Sequence, residues 1–330
     1  MNTPPSFHRR DFLKHSALTG ASLLAPAFAP LASAAPSRES KSETLVAQLH
    51  KSLTEPQRSA LCFPWEHELR LKVDNNWHIT EQPINKVLDG DQQDLVRQIF
   101  DGLHSDEYKK EVWRQFDQDN QRDGGFGSSS IALFGDPGAE KFEFVLTGRH
   151  CTRRCDGNSE AGTVFGGPIF YGHAAKSFNE SPKHEGNAYW FQAQRANEVF
   201  QALDGRQRKL ALLPGKGPAE RGNRTVQLSG KTTGLAGIPM TELAADQKDL
   251  VRKVIADLLL PFRKEDAEES QKAIEASGFD HLHLAYYQAQ DLGNDGVWDV
   301  WQIEGPDMIW YFRGDPHVHC WAHIKEPAGF

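Results

Sequence analysis

Hydrophobic residues recur along this chain at two spacings. Steps of four, the mark of one face of an amphipathic helix, run through Leu95, Ile99 and Leu103 and again through Leu250, Val254 and Leu258. Asp91 and Asp246 stand just ahead of these stripes, where helix N-caps belong. Residues 187–213 read as a further helical stretch. Alternating or continuous apolar runs predict strands over 130–134, 142–155, 282–287, 298–304, 308–313 and 317–324. Residues 214–237, rich in glycine, proline and lysine, read as a long loop. Helices grouped apart from strands, rather than alternating with them singly, place the chain in the α+β class.

The pattern occurs twice. Leu53-Thr54-Glu55-Pro56-Gln57-Arg58 recurs loosely as Leu203-Asp204-Gly205-Arg206-Gln207-Arg208. Asp91-Gln92-Gln93-Asp94-Leu95-Val96-Arg97 recurs closely as Asp246-Gln247-Lys248-Asp249-Leu250-Val251-Arg252. Gly148 and Gly157 correspond to Gly305 and Gly314. Three anchors in one order predict an internal duplication, with a first half over 35–186 and a second over 187–330. Each half runs from helices to strands, and the two pack as one compact unit over about 40–330.

Residues 1–34 bear on the compartment. Arg9-Arg10 stands before Phe12-Leu13-Lys14, an apolar run follows to about Leu31, and Ala32-Ser33-Ala34 offers a small-x-small cleavage pattern. This resembles a twin-arginine export signal, an address rather than an anchor. The run contains Pro26 and Pro30 and is short for a membrane span. The expectation is an exported protein, periplasmic or extracellular, whose partners are the twin-arginine export machinery and a small-molecule ligand. After signal removal no membrane association is expected. The whole chain carries a net charge of −8, and the signal, with Arg9, Arg10, Lys14 and Asp11, is itself basic. The remainder is therefore more acidic still, which argues against nucleic acid as a partner. Four cysteines among 330 residues are few for a disulfide framework. Cys151 and Cys155 are too far apart along one strand to bond to each other, and a pair such as Cys62 with Cys320 is not assignable from sequence.

Candidate chemistry gathers near the end of the chain. If 317–324 is a strand, alternation puts Val318, Cys320, Ala322 and Ile324 on one face and His317, His319, Trp321 and His323 on the other. Two imidazoles at i and i+2 can point at one metal ion. His150 closes an alternating run through Phe142, Phe144 and Leu146, and shares their buried side unless Gly148 breaks the register. A second His-x-His, His281 and His283, has the same spacing. His173 ends a glycine-rich corner with Phe170 and Tyr171, and His184 sits in a polar loop. His50, His67, His78 and His104 read as ordinary surface residues.

The segments Leu146 to His150, Cys155-Asp156-Gly157-Asn158, Gly166 to His173, and Glu304-Gly305-Pro306 through Pro316-His317-Val318-His319 together resemble family 3500 of the domains of unknown function. The resemblance covers nearly all of the chain after the signal. It implies a secreted protein whose pattern includes the histidine at 150 and the pair at 317 and 319, and it brings no activity.

The duplication makes the histidines asymmetric. An offset of 157 maps His317 and His319 back to Glu160 and Gly162, and His150 forward to Asp307. The expectation is one site assembled from both halves: His150, His317, His319 and, more distantly, His173 as ligands of a transition metal such as Cu, Zn or Fe. Imidazole nitrogen suits these ions and not Ca²⁺ or Mg²⁺. Glu304 is the candidate base, with a salt-bridged strand end as its plain alternative. Arg313 and Tyr171 are candidate substrate contacts, and Asp156 before Gly157 reads as a turn residue. Asp117, Asp119 and Asp123 resemble a Ca²⁺ loop, but Arg122 stands where that loop needs glycine, so a surface turn is expected.

Gly157-Asn158-Ser159-Glu160-Ala161 only approaches a nucleophile elbow, and Gly230-Lys231-Thr232 lacks the upstream glycine of a phosphate loop. What remains is a metal-dependent oxidoreductase or hydrolase. The alternative is an exported binding protein for a small organic or carbohydrate ligand, for which some of the eight tryptophans would stack on sugar while most fill the core.

Overall fold

Four glutamines open the helical layer. The chain, seen in a computed structural model, is described over residues 35–139, 141–174, 188–289, 291 and 297–328. The export signal expected over 1–34, the boundary expected at 186 and His184 lie outside the described residues.

The first series of elements is α1 (Lys41–Ser52), α2 (Glu55–Leu61), β1 (Cys62–Phe63), α3 (Ile84–Val87), α4 (Gly90–Gly102), α5 (Lys109–Asn120), β2 (Ser130–Gly135), β3 (Phe142–Gly148), β4 (Cys151–Cys155) and β5 (Ile169–His173). The second is α6 (Trp190–Ala202), α7 (Gly205–Ala211), β6 (Leu212–Leu213), β7 (Ile238–Pro239), α8 (Ala245–Leu259), α9 (Lys264–Ser277), β8 (His283–Tyr287), β9 (Val300–Glu304), β10 (Met308–Arg313) and β11 (Val318–Ile324). The class is α+β: among the described residues, nine α-helices and one mixed sheet of eleven strands.

Helix starts follow from capping chemistry. Gln57, Gln92, Gln207 and Gln247 each accept the backbone N–H three residues earlier, at Thr54, Asp89, Asp204 and Ala244. Their amide groups then meet in pairs. Gln57 donates to Gln92 at 2.7 Å and receives from it at 3.1 Å; Gln207 and Gln247 exchange the same bonds at 2.8 Å each. The caps are thus Asp89 and Ala244, while Asp91 and Asp246, expected at the caps, lie in the first turns of α4 and α8. There the carboxylates meet the positive helix end.

The sheet runs β1-β2-β3-β4-β5-β11-β10-β9-β8-β6, with β7 also paired to β8. Strands β2 to β5 form one antiparallel meander and β8 to β11 another. The short β1 and β6 add parallel to β2 and β8 at the two edges. The meanders join antiparallel through β5 and β11 at the centre of the sheet. One face packs on helices: Leu133, Phe144 and Leu146 against Val46, Ile99 and Phe116, and Tyr171, Trp310 and Ile324 within one cluster with Val199, Val254 and Leu258. The other face is also buried, with Val73 and Val226 from irregular segments on Phe170, Tyr311 and Trp321. The described residues form one compact unit. No helix among the described residues is long and apolar enough to cross a membrane.

Two expected segments differ in the structure. The strand expected over 142–155 is two strands broken at Arg149-His150. The acidic run 117–123, expected as a surface turn, begins inside α5, whose buried stripe is Val112, Phe116 and Asp119.

Candidate metal centre

Strand β11 carries the late histidines as alternation requires. Val318, Cys320, Ala322 and Ile324 enter the helix-side core, and His319 points to the opposite face with Trp321. His319 lies opposite Gly172 of β5. A Cβ at position 172 would collide with Val318 O and stand 3.3 Å from ring carbons of both His150 and His319. Glycine is what lets two imidazoles crowd this point of the sheet.

His150 arrives by a different route. Gly148 pairs with Cys151, so Arg149 and His150 alone form the hairpin loop between β3 and β4. His150 takes φ +54°, a left-handed conformation that costs a side-chain-bearing residue about 1–3 kcal/mol. Its N–H is held by Asn75 O at 3.0 Å and Asn76 Oδ1 at 3.1 Å. The turn lifts the ring out of the Phe142–Phe144–Leu146 alternation, and it meets the other two histidines. Ring centroids lie 5.0 Å from His317 and 5.1 Å from His319, with 4.6 Å between those two. One nitrogen from each of the three lies within 4.8 Å of the others, and the trio can hold a metal ion.

Two carboxylates decide which nitrogen each ring presents. Asp119 Oδ2 lies 2.8 Å from His150 Nδ1, and Glu220 Oε2 lies 2.7 Å from His319 Nδ1. Each carboxylate fixes the tautomer that donates from Nδ1 and leaves Nε2 bare. His319 Nε2 is 2.9 Å from His317 Nε2. Nitrogens sharing a tetrahedral ion at about 2.0–2.1 Å would sit only slightly farther apart, so the donor set fits a first-row transition metal after a small spread. Burial, with His319 and His150 beside it, pushes His317 down to about 3; burial likewise brings His319 down to about 4 against the pull of Glu220. Both rings are neutral at ordinary pH, the form a metal needs. Burial opposes ionisation of Asp119, but hydrogen bonds from His150 and His173 outweigh it and hold that carboxyl below its ordinary range.

The remaining candidates fall in various places. His173 is opposite Val318 and faces the helix side, so it stands outside the trio; its Nδ1 lies 3.2 Å from Asp119 Oδ1. Tyr171 is buried on that same face, donating to Gln192 Oε1 at 2.9 Å. Arg313 lies opposite His319 and pairs with Glu220 at 2.7 Å. Glu304 is opposite Ile309, at the far end of the β9–β10 hairpin from Arg313. His281 bonds Ser277 O and His283 lies on β8, both apart from the trio. Asp156 is a turn residue as read, accepting from Asn158 N and Glu160 N. His104 is not a surface residue: it is buried, accepting from Arg153 Nε at 3.1 Å. All four cysteines are free, and Cys62 and Cys320 are separated by four intervening strands.

Asp119 and Glu220 were missed by sequence reasoning. Asp119 had a signal, its spacing from Val112 and Phe116 along one helix face. Glu220 had none, since it sits in the long loop and reaches His319 across 99 residues.

A family model described as Protein of unknown function (DUF3500) matches residues 37–326. No curated protein and no solved structure matches the chain.

Proposed function

The chain belongs to the DUF3500 family, a family of unknown function, and from the geometry of its imidazole trio we propose that it is an exported metal-dependent enzyme. The reaction class is an oxidoreductase or a hydrolase, and the ion is Cu, Zn or Fe, held by Nε2 of His150, His317 and His319. The observation that carries this is three convergent nitrogens with a carboxylate behind two of them. An ion with three protein ligands keeps an open position that activates water or binds oxygen. The chain's own residues do the rest. Asp119 and Glu220 orient two rings, Arg313 holds Glu220, and burial keeps His317 and His319 unprotonated.

Export by the twin-arginine route to the periplasm or beyond rests on residues 1–34, and suits a protein folded around a metal before transport. We also attribute the two series of elements to an internal duplication. The paired glutamine caps, the edge strands β1 and β6 and the antiparallel join of β5 to β11 support it. His150 has Asp307 as its counterpart in the β9–β10 loop. The offset of 157 puts His317 and His319 at Glu160 and Gly162, which lie in the β4–β5 connection rather than at β5, and β5 itself carries no such histidine pair. One specialised site on a doubled scaffold follows.

The test is a crystal structure with anomalous data across the Fe, Cu and Zn edges. The reading expects one peak among the three Nε2 atoms. Crystals of metal-supplemented protein with no peak there, or with one at some other cluster, would count against it.

A further inference from the structure

The same loop that carries Glu220 roofs a second polar feature. Pro218 and Ala219, immediately before it, line a cavity of about 460 Å³ on the loop-covered face of the sheet. Its floor is Gln302 and Glu304 of β9 with Tyr311 of β10; Arg224, Ser229 and Lys231 stand at its side. Gln302 is only 4% exposed. Its Nε2 donates to Glu304 Oε2 at 2.9 Å, which fixes the orientation of the amide. Its Oε1 is then a buried acceptor with no hydrogen-bond partner among the described residues. Buried polar atoms are nearly always satisfied, so an acceptor left bare in the floor of a cavity marks where a ligand donor belongs.

The charges narrow the ligand. Glu304 in the floor disfavours an anion, and Arg224 and Lys231 at the side disfavour a cation. Burial raises the Glu304 carboxyl above its ordinary value, which adds to the case for an uncharged partner. Hydroxyl groups both donate and accept, and so satisfy Gln302 and Glu304 from one side and the two cations from the other. Tyr311 is itself buried and closes the floor, its hydroxyl donating to Pro218 O at 3.1 Å.

We propose that this cavity binds a neutral saccharide unit, whose hydroxyls donate to Gln302 Oε1 and Glu304 and accept from Lys231 and Arg224. The inference does not depend on the metal. The two sites are joined by the run Pro218-Ala219-Glu220, which lines the cavity and touches His319.

Saturation-transfer NMR on the full exported chain in EDTA tests the cavity alone, whatever the trio holds. Glucose, N-acetylglucosamine, cellobiose and maltose are the neutral probes, with glucosamine and glucuronate as charged controls. At least one neutral probe should bind in preference to both controls. Gln302→Leu should weaken it roughly tenfold, the scale of one lost hydrogen bond. Lys231→Ala, at an exposed residue, provides a second variant if the buried change prevents folding, and it too should weaken binding. Absence of binding by all four neutral probes, preference for a charged control, or binding that neither variant weakens would each overturn the proposal.

Discussion

Asp119 and Glu220 govern the trio without belonging to it. Each accepts a hydrogen bond from the Nδ1–H of one imidazole and so turns Nε2 toward the shared centre. Asp119→Asn keeps the shape and removes the charge. Its expected effect is a metal affinity about 10–100-fold weaker, read by competition with a chromophoric chelator. Unchanged affinity would contradict the orienting role. At this scale the sequence was legible where chemistry is local and opaque where it is not. His317 and His319 were readable from strand alternation, since a period of two is independent of the partner strand. His150 was read as a candidate, but its direction was not, because Gly148 ends β3 and a positive φ turns the ring. Asp119 was misread because an acidic run looks like surface until α5 is recognised around it.

At the scale of elements, paired glutamines join the start of α2 to α4 and the start of α7 to α8 by the same bonds. Gln57→Ala and Gln207→Ala each leave one N–H of the partner amide without its acceptor. Each is expected to lower stability by about 1–3 kcal/mol in urea unfolding. The two losses should add in the double variant, because the pairs share no partner. A loss confined to one pair would contradict their equivalence. The capping glutamines stand inside the very segments whose recurrence was visible in sequence, so these matching helix starts were legible before the fold. Strand β5 was not recognised, because its Tyr171-Gly172-His173 end lacks alternation and is shaped by contact with β11. Strands β1, β6 and β7, of two residues each, are too short to leave a period at all.

For the whole molecule, burial of acids sets the pH response above the range in which histidine titrates. Glu269 is pushed up to about 8 by burial, reinforced by Asp266, Asp156 and Glu326 and opposed by Arg263. Burial also raises Asp156 to about 7. A carboxyl whose folded value lies above its ordinary one binds its proton more tightly when folded. Stability is then fullest below the ordinary value of 4.5 for Glu269 and declines as pH climbs toward 8. The buried histidines, held below their ordinary value of 6.5, gain stability as pH rises to that value, so the fall due to the acids is isolated above it. The thermal midpoint should decline from pH 6.5 to 8, and Glu269→Gln should flatten that slope. A midpoint that rises across this window would contradict the assignment. The helix-side acids form a system separate from the imidazole trio. The most direct measurement on the trio is the metal content, by plasma mass spectrometry, of protein purified without a polyhistidine tag. About one transition-metal ion per chain is expected, falling to background when His317 and His319 are both replaced by alanine. Substoichiometric metal that the double replacement leaves unchanged would contradict it.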